Sequence, residues 1–315
     1  MELIVNGLLV IAGLALLCFG GNWLVTGGVT IAKKIGISQL VIGMTVVAYG
    51  TSTPELAASI AAAGEHGDII LGNIVGSNIA NVGMVIGIAS ILIPLAVSKT
   101  TLRKEIPIML GISLLLIALS IDGELSQYDG IIFLGAMIAF SIFTYKDAQK
   151  HRDTNQNGTD EKNTNKKNVY LKSFGLIGLG ISLLYVGAIL TVDNAVILAE
   201  SLGISERIIG LTVIAIGTSL PELITSVIAI KKGHTDIGVG NIIGSNIYNI
   251  LMIMGVAATI ASVAVSTQVM LDYAIMVGFS LTLLIAIKSG VINRTMGILL
   301  TMGYVAYLAF AFFMP

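Results

Sequence analysis

Gly50-Thr51-Ser52-Thr53-Pro54-Glu55 returns later in the chain as Gly217-Thr218-Ser219-Leu220-Pro221-Glu222. Each copy interrupts a long apolar run with a glycine, hydroxyl side chains, a proline and a glutamate. Proline removes a backbone donor and clashes with the preceding turn, so Pro54 and Pro221 predict a break in each helix. A carboxylate follows each break. Charge inside a bilayer is expensive and marks a functional position. Two such carboxylates in related places predict one cation site built from both halves of the chain.

The surroundings of the motif are membrane-like. The 315 residues are 55% hydrophobic and 11% charged, with a mean hydropathy of +0.94, whereas soluble domains carry about 25% charged residues. Runs 3–20, 106–121 and 295–314 are almost free of charge, close to the ~20 residues a bilayer-crossing helix needs. The expected fold is therefore all-α and integral to the membrane, with ten transmembrane helices over 3–31, 36–64, 69–96, 105–121, 128–146, 172–199, 204–230, 236–264, 269–287 and 291–313. Residues 147–171, rich in Asn, Asp, Lys and Thr, are expected to be a flexible linker. It divides the chain into membrane repeat 1 (1–146) and membrane repeat 2 (172–315).

The first apolar run lacks a basic leader, so a retained helix is expected there and not a signal peptide. Cys18 is the single cysteine, which excludes an internal disulfide and a cysteine metal site. The 36 glycines suit close helix packing. Of 17 basic residues, all but Arg207 fall on one side of the ten-span arrangement. The positive-inside rule then predicts a multi-pass protein of the cell (plasma) membrane, with both termini outside and the 147–171 linker cytoplasmic.

The repetition extends beyond the glutamates. Ile42-Gly43-Met44-Thr45-Val46 corresponds to Ile209-Gly210-Leu211-Thr212-Val213, and Gly72-Asn73-Ile74-Val75-Gly76-Ser77-Asn78-Ile79-Ala80-Asn81 to Gly240-Asn241-Ile242-Ile243-Gly244-Ser245-Asn246-Ile247-Tyr248-Asn249. Five spans separate the copies, so they cross the bilayer in opposite directions. Two inverted five-helix repeats of this kind are typical of secondary transporters.

The broken helices should free carbonyls near Ala48, Thr51, Ala215 and Thr218, tolerated at membrane depth where they line a polar cavity. Together with Glu55 and Glu222 they make an oxygen-rich site suited to Ca²⁺, which takes ~6–8 oxygens; carbonyls and hydroxyls also suit Na⁺. Asn73, Ser77 and Asn81 recur at i, i+4, as do Asn241, Ser245 and Asn249, so each trio shares one helical face. Interhelical hydrogen bonding is the structural alternative for these trios. Protons compete with cations for carboxylates, so ion binding is expected to weaken at acid pH. His66 and His234 occupy equivalent turns and are expected to be solvated. Asp129, Asp193 and Asp272 lie near span ends. No Gly-x-Ser-x-Gly or His-Glu-x-x-His motif supports an intramembrane enzyme.

The paired Gly-Thr-Ser-x-Pro-Glu stretches, each followed by Gly-Asn-x-x-Gly-Ser-Asn, resemble the α-repeats of sodium/calcium exchangers in the cation/Ca²⁺ exchanger superfamily, nearest its short archaeal and bacterial members. The resemblance implies K⁺-independent Na⁺/Ca²⁺ antiport by alternating access, in which the two long helices 1 and 6 slide across a stationary core. It implies a Ca²⁺ site of Glu55 and Glu222 with the carbonyls of Thr51 and Thr218. It further implies Na⁺ sites completed by Ala48, Ser52, Ser77, Asn81, Ala215, Ser219, Ser245 and Asn249. Many relatives carry aspartate where Asn81 or Asn249 stands; in K⁺-dependent relatives the second-repeat aspartate is associated with K⁺. The proton-coupled branch generally shows Gly-Asn-x-x-Glu instead. H⁺/Ca²⁺ exchange is the alternative within transport, and a cation channel the alternative outside it. No catalytic role, cofactor or nucleic-acid partner is expected, and a monomer in the lipid bilayer is the expected unit.

Overall fold

The computed structural model describes residues 2–64, 67–99, 101–155, 166–203, 215–267 and 269–313. Its helices, in chain order, are α1 (Glu2–Ile35), α2 (Gln39–Thr51), α3 (Thr53–Ala62), α4 (67–92), α5 (101–119) and α6 (Gln127–Asn155) in the first half. The second half has α7 (Lys166–Ser201), α8 (Ala215–Thr218), α9 (Leu220–Lys231), α10 (Thr235–Ile260), α11 (269–289) and α12 (Arg294–Phe313). Among the described residues, six helices are unbroken, long and apolar enough to cross a membrane: α1, α4, α6, α7, α10 and α12. The second and seventh spans are instead divided into α2/α3 and α8/α9, as their prolines predict. The start of the seventh, 204–214, lies outside the described residues.

The middle of the fold is made by α4 and α10, whose apolar and polar side chains are both buried. Each packs against the opposite half: α4 against α11 and α12, α10 against α5, α6 and α2. The long helices α1 and α7 lie against one another on the outside, their outer faces carrying Leu8, Ile11, Leu179 and Val186. Their contact is close because glycines meet in antiparallel register. A Cβ on Gly20 would come within 2.8 Å of the Gly180 carbonyl oxygen, and one on Gly187 within 2.9 Å of that of Gly13. Small residues let backbones approach where lipid supplies no hydrophobic drive between helices.

Two features were not legible in the sequence. Four two-residue strands join the halves: β1 (Leu95–Ala96) pairs with β4 (Val291–Ile292), and β2 (Glu124–Leu125) with β3 (Val263–Ala264), both antiparallel. Gly290 and Gly123, at φ +67° and +89°, turn the chain so that their carbonyls accept from Val97 and Val265 at 2.8 Å. The second is that the expected linker 147–171 is helical over 147–155 and 166–171, because α6 and α7 run on past the apolar stretch. Ala, Gln, Lys and Arg are good helix formers, so polarity there does not end the helix. Residues 156–165 lie outside the described residues. Lys104 fastens this end of α6 to the start of α5, with Asp147 Oδ2 at 2.7 Å and the Phe143 ring beneath its ammonium.

Candidate cation site

Both breaks fall one residue before the second helix begins. Ser52 (φ −85°, ψ 12°) and Ser219 (φ −88°, ψ 3°) leave helical geometry, and Pro54 and Pro221 then occupy the first turns of α3 and α9. That is where a proline's missing N–H costs nothing. Glu55 and Glu222 sit in the same turns, at the positive ends of their helices, which favour a carboxylate. Both glutamates are 1% exposed and near enough for the charge of Glu222 to act on Glu55.

The halves interlock here. Ser52 of the first half donates to Glu222 Oε1 of the second at 2.9 Å, and Ser245 reaches the same oxygen at 3.4 Å. Thr51 donates to Asn241 Oδ1 at 3.1 Å and lies 3.5 Å from the Ser245 hydroxyl. Asn241 and its counterpart Asn73 brace the helix that follows each break. Asn241 Nδ2 donates to Ser226 at 2.9 Å; Asn73 Nδ2 donates to Ser59 at 3.1 Å and to the Glu55 carbonyl at 3.3 Å. The expected freeing of the Ala48 carbonyl is only partial: it accepts from the Ser52 N–H at 3.0 Å and from the Thr51 hydroxyl at 3.3 Å. The break comes after Ser52, so that last helical bond survives.

Thr51, Ser52, Ser77, Asn81, Ser219, Ser245 and Asn249 are all buried around the carboxylates or on the facing helices. Thr218 is half-buried, and Ala215 opens α8. Asn81 and Asn249 each begin a π-turn, Asn81–Ile86 and Asn249–Met254. Such turns inside α-helices occur frequently at functional sites. Five buried oxygens here have no hydrogen-bond partner: Glu55 Oε2, Glu222 Oε2, Ser219 Oγ, Asn81 Oδ1 and Asn249 Oδ1. Buried polar atoms are ordinarily paired, so a group of acceptor oxygens left without donors is suited to a cation. Among the described residues there is no cluster of three His, Cys, Asp or Glu. A cation held here would rest on two carboxylates and neutral oxygens.

Asn78 and Asn246 stand out in the structure although spacing gave them no role. Each follows a motif serine and so sits about 100° around the helix from the i, i+4 stripe. They lie where α4 meets α10 and hydrogen bond to Asn249 and Asn81. His234, expected to be a solvated turn residue, is half-buried in its turn, its Nδ1 3.1 Å from Gln39 Oε1. Burial, with Lys33 and Lys232 nearby, pushes its pKa down. His66 lies outside the described residues.

Comparison with known proteins agrees with this architecture. The family model for sodium/calcium exchanger proteins matches residues 5–146 and 172–313. The inner membrane protein YrbG of Escherichia coli (strain K12) is 37% identical over 316 residues, covering 97% of this chain and 96% of its own. The sodium/calcium exchanger MaX1 of Methanosarcina acetivorans is 35% identical, covering 98% and 99%. The structure of the sodium-calcium exchanger NCX_Mj soaked with 10 mM Na⁺ and zero Ca²⁺ superposes with a TM-score of 0.85 at 33% identity, covering 98% of this chain and 99% of that one. With a full-length match to a fold of ten membrane spans in two inverted halves, and both motif copies meeting between the halves, this multi-pass membrane protein belongs to the sodium/calcium exchanger family of antiporters.

Proposed function

We propose that this chain exchanges Na⁺ for Ca²⁺, independently of K⁺ and by alternating access. The observation that carries the proposal is the pair of carboxylates at two helix breaks, joined across the repeat interface and surrounded by buried acceptor oxygens without donors. Glu55 and Glu222, with the carbonyls of Thr51 and Thr218, bind Ca²⁺. Ala48, Ser52, Ser77, Asn81, Ala215, Ser219, Ser245 and Asn249 complete the Na⁺ sites.

Charge balance supports competition between the ions. Two carboxylates neutralise one Ca²⁺, and leaving both buried and uncompensated is costly, so the empty site resists crossing. Several Na⁺ in overlapping positions satisfy the same oxygens, and either load permits the switch. The moving element is the α1/α7 pair, whose glycine contact binds the two long helices into one unit. Asn249, neutral where K⁺-dependent relatives carry an acid, supports K⁺ independence. Both termini are assigned to the outside and residues 147–171 to the cytoplasm, on the charge asymmetry of the loops. The protein acts as a monomer in the cell membrane, its two halves supplying the whole site.

The test is ⁴⁵Ca²⁺ uptake into proteoliposomes loaded with Na⁺ and diluted into K⁺ or choline medium, beside a set carrying only a pH gradient. Uptake that needs internal Na⁺, with equal rates in K⁺ and choline, is the expected result. Uptake driven by the pH gradient alone would assign H⁺/Ca²⁺ exchange. Large passive flux without a counter-ion would assign a channel.

A further inference from the structure

Asn81 and Asn249 can serve a cation at one end of the side chain only, because an amide presents a carbonyl oxygen at one end and an NH₂ donor at the other. The two ends are nearly the same size, so packing alone does not choose between them. In this fold hydrogen bonds choose. Asn249 Nδ2 donates to Asn78 Oδ1 at 3.0 Å, and Asn81 Nδ2 donates to Asn246 Oδ1 at 3.0 Å. The carbonyl oxygens of Asn249 and Asn81 are thereby turned the other way, where both are buried without a partner.

Asn78 and Asn246 are themselves fixed by groups that cannot reverse. Asn78 Nδ2 donates to the Asn246 backbone carbonyl at 3.3 Å, and Asn246 Nδ2 to the Asn78 backbone carbonyl at 3.4 Å. The sulfurs of Met276 and Met109, weak acceptors, lie 3.7 and 3.6 Å from the same two nitrogens. All four asparagines are 1% exposed, so water does not compete for these bonds. Each series therefore has a fixed polarity: backbone carbonyl, amide NH₂, amide oxygen, next amide NH₂, and finally an acceptor oxygen. Each also crosses from one repeat to the other. Reversing Asn249 would set its oxygen against Asn78 Oδ1 and aim an NH₂ group at the cation.

We infer that Asn78 and Asn246 are positioning residues that lock the Asn249 and Asn81 amides with their oxygens toward the ions, making both positions acceptors only. The inference rests on the reading of Asn81 and Asn249 as Na⁺ ligands, and it predicts a rescue. Aspartate has oxygen at both ends, so a carboxylate at position 249 needs no polarity lock.

The experiment measures the half-saturating Na⁺ and Ca²⁺ concentrations and the maximal rate of exchange in proteoliposomes, for the parent, Asn78→Ala, Asn249→Ala, Asn249→Asp and the double variant Asn78→Ala/Asn249→Asp. Asn78→Ala is expected to raise half-saturating Na⁺ about tenfold, the size of one lost hydrogen bond to a ligand group, with the maximal rate nearly unchanged. In the double variant half-saturating Na⁺ returns to that of Asn249→Asp alone. If Asn78 were merely structural, its loss would lower maximal rate and melting temperature together and the double variant would behave as the sum, which overturns the inference. If Asn249→Ala leaves half-saturating Na⁺ unchanged, the underlying reading of Asn249 fails instead. The related set, Asn246→Ala with Asn81→Asp, repeats the test should Asn78→Ala not fold.

Discussion

Ser52 of the first half donates to Glu222 of the second at 2.9 Å, whereas its counterpart Ser219 is as deeply buried and its hydroxyl has no partner. The helices after the two breaks differ in the same sense. Along α9, Pro221, Glu222, Thr225 and Ser226 are all buried and the helix packs on α1. Along α3, Ala58, the counterpart of Thr225, is exposed, and so is Ile60. Nearly identical motifs thus make unequal contacts. An inverted-repeat transporter that opens to one side at a time requires this, since related halves exchange their environments when the protein switches. On the alternating-access reading proposed above, this structure is one member of such a pair of states, with both glutamates buried and α9 the more covered of the two helices. In the other member Ser219 should engage Glu55, with α3 covered in place of α9.

The largest expected effect falls on both halves alike. Glu55→Gln and Glu222→Gln each remove one of the two charges proposed to balance Ca²⁺. An uncompensated buried charge is worth ~3–5 kcal/mol, more than a hundredfold in affinity, so Ca²⁺ uptake should be lost in either variant while the protein still extracts as a folded species. Normal uptake in either would remove that carboxylate from the site.

A smaller effect should separate the halves. Ser52→Ala deletes a hydrogen bond to a carboxylate, a contact worth ~1.5–3 kcal/mol, and should lower the melting temperature of the ion-free protein. Ser219→Ala deletes a hydroxyl without a partner and should leave it unchanged or raised. Both should weaken Na⁺ activation of transport, because each serine is engaged in one of the two states. Equal melting shifts would show that the ion-free protein does not rest in the state described here.

How much of this was legible in the sequence follows from what repeats and periods can encode. Pro54 and Pro221 marked the helix breaks because their effect is local, and the two copies of Gly-Asn-x-x-Gly-Ser-Asn marked the inverted halves. Spacing along one helix found the Asn73, Ser77 and Asn81 stripe. It could not reveal that Ser52 reaches Glu222 and not Glu55, which depends on how two distant helices approach. Asn78 and Asn246 lie off the stripe, where only the crossing of α4 and α10 gives them partners. The strand pairs β1–β4 and β2–β3 involve two residues on each side, too few for a period to register.

The least expected effect sharpens the comparison most cheaply. Thr225 stands where the first half has Ala58, and its hydroxyl is buried without a partner beside Gly21 of α1, where a Cβ would come within 3.0 Å. A buried hydroxyl without a partner costs ~1–3 kcal/mol. Thr225→Val keeps the branched shape and removes that cost, so the ion-free melting temperature should rise slightly with half-saturating Ca²⁺ little changed. If α9 must later leave α1 for the opposite state, a group that is poorly satisfied while buried makes leaving easier. Thr225→Val should then also favour the present state, seen in a Cys18→Ala background as lower accessibility of a cysteine introduced at Ile224 in the ion-loaded protein. A fall in Na⁺ affinity would instead make the hydroxyl an ion ligand present in one half alone, and the two halves would differ in chemistry as well as in position.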